Sequence, residues 1–127
     1  MHHLKLLLFI SLSFLISSCG GGGSAPFALT LPTNTLISID EDNGHTYTFI
    51  ASTNYRSQIT YEIINTTSNG VSELSSNGSY SYQPNQDYFG TDNFSIRITA
   101  ARVDDNNVST GETLIQSLPI SLSLIHI

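Results

Sequence analysis

Asn77-Gly78-Ser79-Tyr80-Ser81-Tyr82-Gln83-Pro84-Asn85, followed by Tyr88-Phe89-Gly90-Thr91-Asp92-Asn93-Phe94, is the stretch on which the fold turns. Side chains alternate across a β-strand, so Tyr80 and Tyr82 share a face and lay their rings on a core while their hydroxyls reach its rim. Pro84 has no amide hydrogen to give a ladder and is expected to end that strand. Gly90 supplies a backbone angle that other residues resist, and Asp92 is placed to accept hydrogen bonds from turn amides. Beyond the turn, Phe94, Ile96 and Ile98 alternate as a buried face and leave Ser95, Arg97 and Thr99 outward.

The same alternation extends in both directions. Strands are expected near Leu36–Ile39, His45–Ala51, Gln58–Ile64, Gly70–Leu74, Ser79–Gln83, Asp92–Val103 and Thr113–Leu122, with Gly and Asn between them. Asn43-Gly44, Asn69-Gly70 and Asn77-Gly78 each mark an expected chain reversal, because Asn-Gly tolerates the positive φ angles of tight hairpins. Seven short strands with such turns predict an all-β domain, an immunoglobulin-like sandwich of two antiparallel sheets.

The stretch from Asn77 to Phe94 resembles the signature of bacterial cadherin-like tandem-repeat domains. In that family a Gly-x-Tyr-x-Tyr-x-Pro-Asn strand leads through an aromatic and a Gly-Thr-Asp-x-Phe turn into the next strand. Ile39-Asp40-Glu41-Asp42 resembles the acidic start of the same domains, and Ile59-Thr60-Tyr61-Glu62-Ile63 their third strand, so the likeness spans residues 30–121. It implies a cadherin-like β-sandwich and raises calcium, which needs six to eight oxygens. Glu41 matches the family's glutamate, but Thr53-Asn54-Tyr55 stands where an Asp-x-Asp is expected. Two carboxylates are thereby lost, and no metal or other cofactor is expected. Asp104-Asp105-Asn106-Asn107 is read as a solvated turn rather than an ion site.

Ahead of the domain, Lys5 precedes an apolar run from Leu6 to Ile16, then Ser17, Ser18 and Cys19. This is the plan of a secretory signal, with a run too short for the roughly 20 residues that cross a bilayer. Ile16-Ser17-Ser18-Cys19 resembles the lipobox of bacterial lipoproteins. The resemblance implies a helical signal peptide over 1–18, cleavage before Cys19, and lipidation of Cys19. More than one acyl chain would hold the protein on a membrane, the outer one by analogy with Gly20 following the cysteine. Residues 19–29 are expected to form a flexible Gly-rich tether.

Cys19 is the single cysteine, so the exported domain folds without disulfides. After residue 18 three arginines face ten acids, a formal charge of −7, which excludes a basic nucleic-acid patch. The same part has no lysine, no Gly-x-Ser-x-Gly elbow and no His-Glu-x-x-His pair. His45 beside a turn reads as a surface residue. Nothing in the spacing of Glu62 and Glu73 singles them out as a glycosidase pair. No catalytic residue is therefore assigned. The expected function is a non-catalytic cell-surface module used for adhesion or as a spacer, with other surface proteins or glycans as partners. The alternatives are an accessory domain of a larger secreted enzyme, and a carbohydrate-binding module stacking sugars on Tyr47, Tyr55 or Tyr88.

Leu122-Ser123-Leu124-Ile125-His126-Ile127 is what CTG TCT CTT ATA CAC ATC encodes, which resembles a transposon mosaic-end adapter. The expectation is a non-native tail over 122–127 on the N-terminal fragment of a longer protein. The competing reading is a native last strand from Leu118 to Leu124 with an apolar tail.

Overall fold

The structure, a computed structural model, describes residues 24–126. The signal peptide and Cys19 lie outside that range. Nine strands follow in order: β1 Leu29–Thr30, β2 Leu36–Asp40, β3 His45–Thr48, β4 Ser52–Thr53, β5 Ser57–Asn65, β6 Gly70–Leu74, β7 Ser79–Pro84, β8 Gly90–Val103 and β9 Ser109–Ile125. There is no helix among the described residues. One sheet has the order β2-β9-β8-β5 and the other β3-β7-β6, with β1 and β4 forming a small separate pair. All pairings are antiparallel except β2 with β9, which run parallel from Leu36↔Ser121 to Asp40↔Ile125.

The core lies between the two larger sheets and follows from the alternation. Phe94, Ile96, Ile98 and Ala100 of β8 point inward with Ile120, Leu122 and Leu124 of β9, and meet Tyr80 and Tyr82 of β7. Tyr80 stacks on Phe94 with ring centroids 4.4 Å apart and an interplanar angle of 13°, and Phe49 meets both rings at 5.8 and 6.2 Å. Such offset aromatic contacts add roughly 0.5–1.5 kcal/mol each to the burial of the rings. Tyr61 is buried too, and its hydroxyl accepts the Ala51 amide at 2.8 Å.

All seven expected strands are present, and the two short strands β1 and β4 are added to them. Of the Asn-Gly pairs, only Asn77-Gly78 closes a hairpin, joining β6 to β7 with Gly78 at φ 99°. Asn43-Gly44 and Asn69-Gly70 lie where the chain crosses from one sheet to the other, because β2 pairs with β9 and β5 with β8. Gly70 is required for close approach, since a Cβ there would sit 2.6 Å from Gln83 O and 2.7 Å from the Tyr82 ring.

The domain limits also move outward. Residues 25–29, assigned to a flexible tether, are docked, and Leu29–Thr30 pairs with Ser52–Thr53. At the other end the sandwich does not stop at 121. β9 continues to Ile125, with Leu122 fully buried and Leu124 3% exposed, because Ile120, Leu122 and Leu124 prolong the inward alternation beside β2. The adapter reading of residues 122–127 concerns their coding origin and is separate from this packing.

Candidate functional site

The most organised polar cluster is built on Asp92, a buried carboxylate near the start of β8. Its Oδ1 accepts the amides of Ser68 and Asn93, both at 2.9 Å. Its Oδ2 accepts the Asn69 amide and the Tyr82 hydroxyl, both at 2.8 Å. The expected bonding to turn amides is thus present, but two of those amides belong to the β5–β6 connection, far away in sequence. Four donors on two oxygens satisfy a carboxylate that would otherwise be costly to bury. Burial and the bond to Asp92 push the Tyr82 hydroxyl well above the ordinary tyrosine range.

Beside it runs a chain of hydroxyls. The Thr67 hydroxyl donates to Gly70 O at 3.1 Å and meets Ser72 Oγ at 2.8 Å, and Ser72 Oγ meets the Tyr80 hydroxyl at 2.7 Å. With the Thr67 proton committed to Gly70, donation runs from Tyr80 to Ser72 to Thr67. Burial, helped by the charge of Asp92, raises the Tyr80 hydroxyl to about 12. Every group here is turned on the protein itself, so the cluster locks the β5–β6 connection onto β7 and β8.

The segment Thr53-Asn54-Tyr55 acts on the incoming chain. Asn54 Nδ2 donates to Pro26 O and Asn54 Oδ1 accepts the Ala28 amide, both at 2.8 Å, while the Tyr55 hydroxyl donates to Ala25 O at 2.7 Å. Phe27 lies against the Tyr55 ring, and Arg102 sits 3.8 Å over that ring's centroid while pairing with Glu112 at 2.7 Å. Tyr55, which stands where a calcium site would carry a carboxylate, and its neighbour Asn54 therefore hold residues 25–28 as a strap.

The other residues singled out in the sequence are not brought together. Glu41 Oε1 lies 2.7 Å from His126 Nδ1 at the end of β9, whereas Asp104 opens the β8–β9 turn at the opposite end of the sheet. Asp104 Oδ1 accepts the amides of Val108 and Asn106 at 3.0 and 2.8 Å, which hold its carboxyl below the usual range, and Asn107 takes φ 63°. Asp104 thus organises the hairpin turn. No group of three or more His, Cys, Asp or Glu residues is placed to hold a metal among the described residues.

Glu62 pairs with Arg97 at 2.6 Å on the outer face of the four-stranded sheet, and Glu73 lies on the outer face of the other sheet. That separation gives them no common substrate position. His45 begins β3, its Nε2 buried without a hydrogen-bond partner among the described residues, at the margin of a shallow trough lined by Thr46, Val71, Glu73, Ser81 and Gln83. Tyr47 meets Phe49 edge-on at 4.9 Å, Tyr55 is held between Phe27 and Arg102, and the Tyr88 hydroxyl donates to Thr91 O. These three rings are engaged in packing.

Two facing sheets, a last strand paired parallel to an early one, and sheet-switching loops define an immunoglobulin-like β-sandwich. The chain belongs to the Bacterial Ig domain family, which matches residues 24–115. Comparison with curated proteins finds no match. Ig-like domains of this family are typically non-catalytic.

Proposed function

We propose that this protein is a lipid-anchored, non-catalytic Ig-like module at the bacterial cell surface, serving as a spacer or adhesion unit that carries further domains. Membership of the Bacterial Ig domain family is the observation that carries the reading, since such domains are commonly displayed outside the cell. The lipobox-like Ile16-Ser17-Ser18-Cys19 supplies the anchor, and the likeness to cadherin-type repeats supplies the idea of a string of modules. Hydrogen bonding within the fold supports it as well. The carboxylate and hydroxyls of the Asp92 cluster serve intramolecular contacts, and the strap gives a spacer a defined point of attachment for its membrane-side chain.

The test is fractionation of cells expressing the full chain, with mass measurement of its N-terminus. Wild type should partition with the outer membrane and carry a mass increment of diacylglyceryl on Cys19. Cys19→Ala should be released or retained as an uncleaved precursor. Unchanged partition and unchanged mass on substitution would refute the anchor.

A further inference from the structure

β2 covers only the last part of β9. Ser121 N donates to Thr35 O at 2.8 Å and Ile125 O accepts the Glu41 amide at 2.9 Å, so the odd-numbered residues here turn their backbone groups towards β2. Pairing with β8 is regular from Thr113 to Leu124, so the same parity holds back along the strand. Thr113, Ile115 and Ser117 therefore present N–H and C=O to the edge opposite β8, where no strand lies among the described residues. Pro119 follows in that series and has no N–H to offer there. Ile115, 57% exposed, stands in the middle of this open edge. The far edge of the sheet is different, since Tyr61 N on β5 donates to Ser76 O of the β6–β7 turn at 3.1 Å.

We infer that the open edge of β9 from Thr113 to Ser117 pairs antiparallel with the same edge of a second copy, joining two four-stranded sheets into one. The register is self-complementary about a two-fold axis at Ile115. Ile115 faces its own mate, and Thr113 faces Ser117 of the other copy on both sides, giving three pairs that each exchange two backbone hydrogen bonds. Proline at 119 ends the ladder.

The side chains fit this register. Residues 113–119 carry no charge. Across the joined sheet Thr113 and Ser117 bring in only Ala101 and Arg97 from β8, and Arg97 already holds Glu62. No like charges become neighbours, and the apolar Ile115 side chains cover one another. A foreign strand would need its own matching row, whereas the second copy brings one by symmetry. A single ladder buries less than the roughly 1,200–2,000 Å² of stable complexes, so the dimer is weak. Two chains of formal charge −6 repel, so added salt strengthens it.

The test is sedimentation equilibrium of the full chain in non-ionic detergent, combined with hydrogen exchange at Thr113, Ile115 and Ser117. Wild type should shift from monomer to dimer with rising concentration and salt, with those three amides gaining protection in step. Ile115→Pro removes an N–H that has no strand partner among the described residues, and Ile115→Lys places two ammonium groups on the axis. Both should stay monomeric with exchange at 113 and 117 unprotected, and Ile115→Lys carries the test if proline disturbs the fold. A wild type monomeric up to about 1 mM, a dimer that survives both substitutions, or protection of these amides in the monomer would overturn the inference. The last result would mean that the chain covers its own edge.

Discussion

Replacing Asp92 by asparagine removes one acceptor and changes little else in shape. In the native cluster each carboxylate oxygen receives two donors, so neither orientation of the amide can satisfy all four. With Oδ1 kept against Ser68 and Asn93, the new NH₂ group faces the Asn69 amide and the Tyr82 hydroxyl. Tyr82 has a second acceptor in Asn69 O at 3.2 Å, and its oxygen can then receive a proton from the new amide. The Asn69 N–H has no such alternative. One buried donor left unpaired costs about 1–3 kcal/mol, and loss of charge assistance adds to it. That is a substantial share of the about 5–15 kcal/mol that holds a small domain folded. With a urea slope of about 1–1.5 kcal/mol per molar for a domain of this size, the midpoint should fall by roughly 1–2 M. Urea unfolding followed by tyrosine fluorescence checks it. A midpoint within about 0.3 M of wild type would show that the cluster is solvated and that the lock on the β5–β6 connection has been misassigned.

Phe94→Ala removes a ring stacked on Tyr80 and should cost about 3–5 kcal/mol, largely unfolding the domain, while Asp105→Ala on the exposed turn should leave the melting temperature within about 2 °C. Calorimetry on both variants distinguishes core from surface. Millimolar calcium should not raise the melting temperature, whereas a rise above about 10 °C that chelator reverses would reveal an ion site. Tyr80 ionises near 12 in the folded protein and near 10 when unfolded, so it favours folding fully below about pH 10 and loses that contribution as pH climbs through 12. Absorbance at 295 nm should accordingly show Tyr80 and Tyr82 ionising only as the fold is lost, and early titration of every tyrosine would contradict their burial.

Much of the sandwich was legible because alternation is a local property. Tyr80, Tyr82, Phe94, Ile96 and Ile98 point inward as the pattern of the chain demands. Pairing partners were less legible, since alternation assigns a face without naming the neighbouring strand. Hence Asn43-Gly44 and Asn69-Gly70 read as hairpins although they carry the chain between sheets. β1 and β4, of two residues each, are too short for any periodicity to mark them. The end of β9 was visible in the continued pattern of Ile120, Leu122 and Leu124, and a boundary drawn from coding origin cut across it. Asp92 was singled out with the right chemistry, but its Ser68 and Asn69 donors arrive from another connection and have no sequence signal. Thr53 and Tyr55 stand out for the carboxylates they replace, whereas the grip of Asn54 and Tyr55 on residues 25–28 depends on contacts across more than twenty residues and has no local signal.

The parallel pairing of β2 with β9 also governs how the molecule answers tension. The chain enters β2 at Leu36, opposite Ser121, and leaves β9 at Ile125, opposite Asp40. Pulling the two ends apart first peels the short β1–β4 pair and then drags β2 and β9 along their own axes in opposite directions. The bonds between them lie across that pull and are strained together, in shear, instead of opening one after another like a zip. Survival under such a pull is set by the unfolding rate. A few residues of β2, sliding against the end of β9, therefore decide how long the domain stays closed when its two ends are drawn apart.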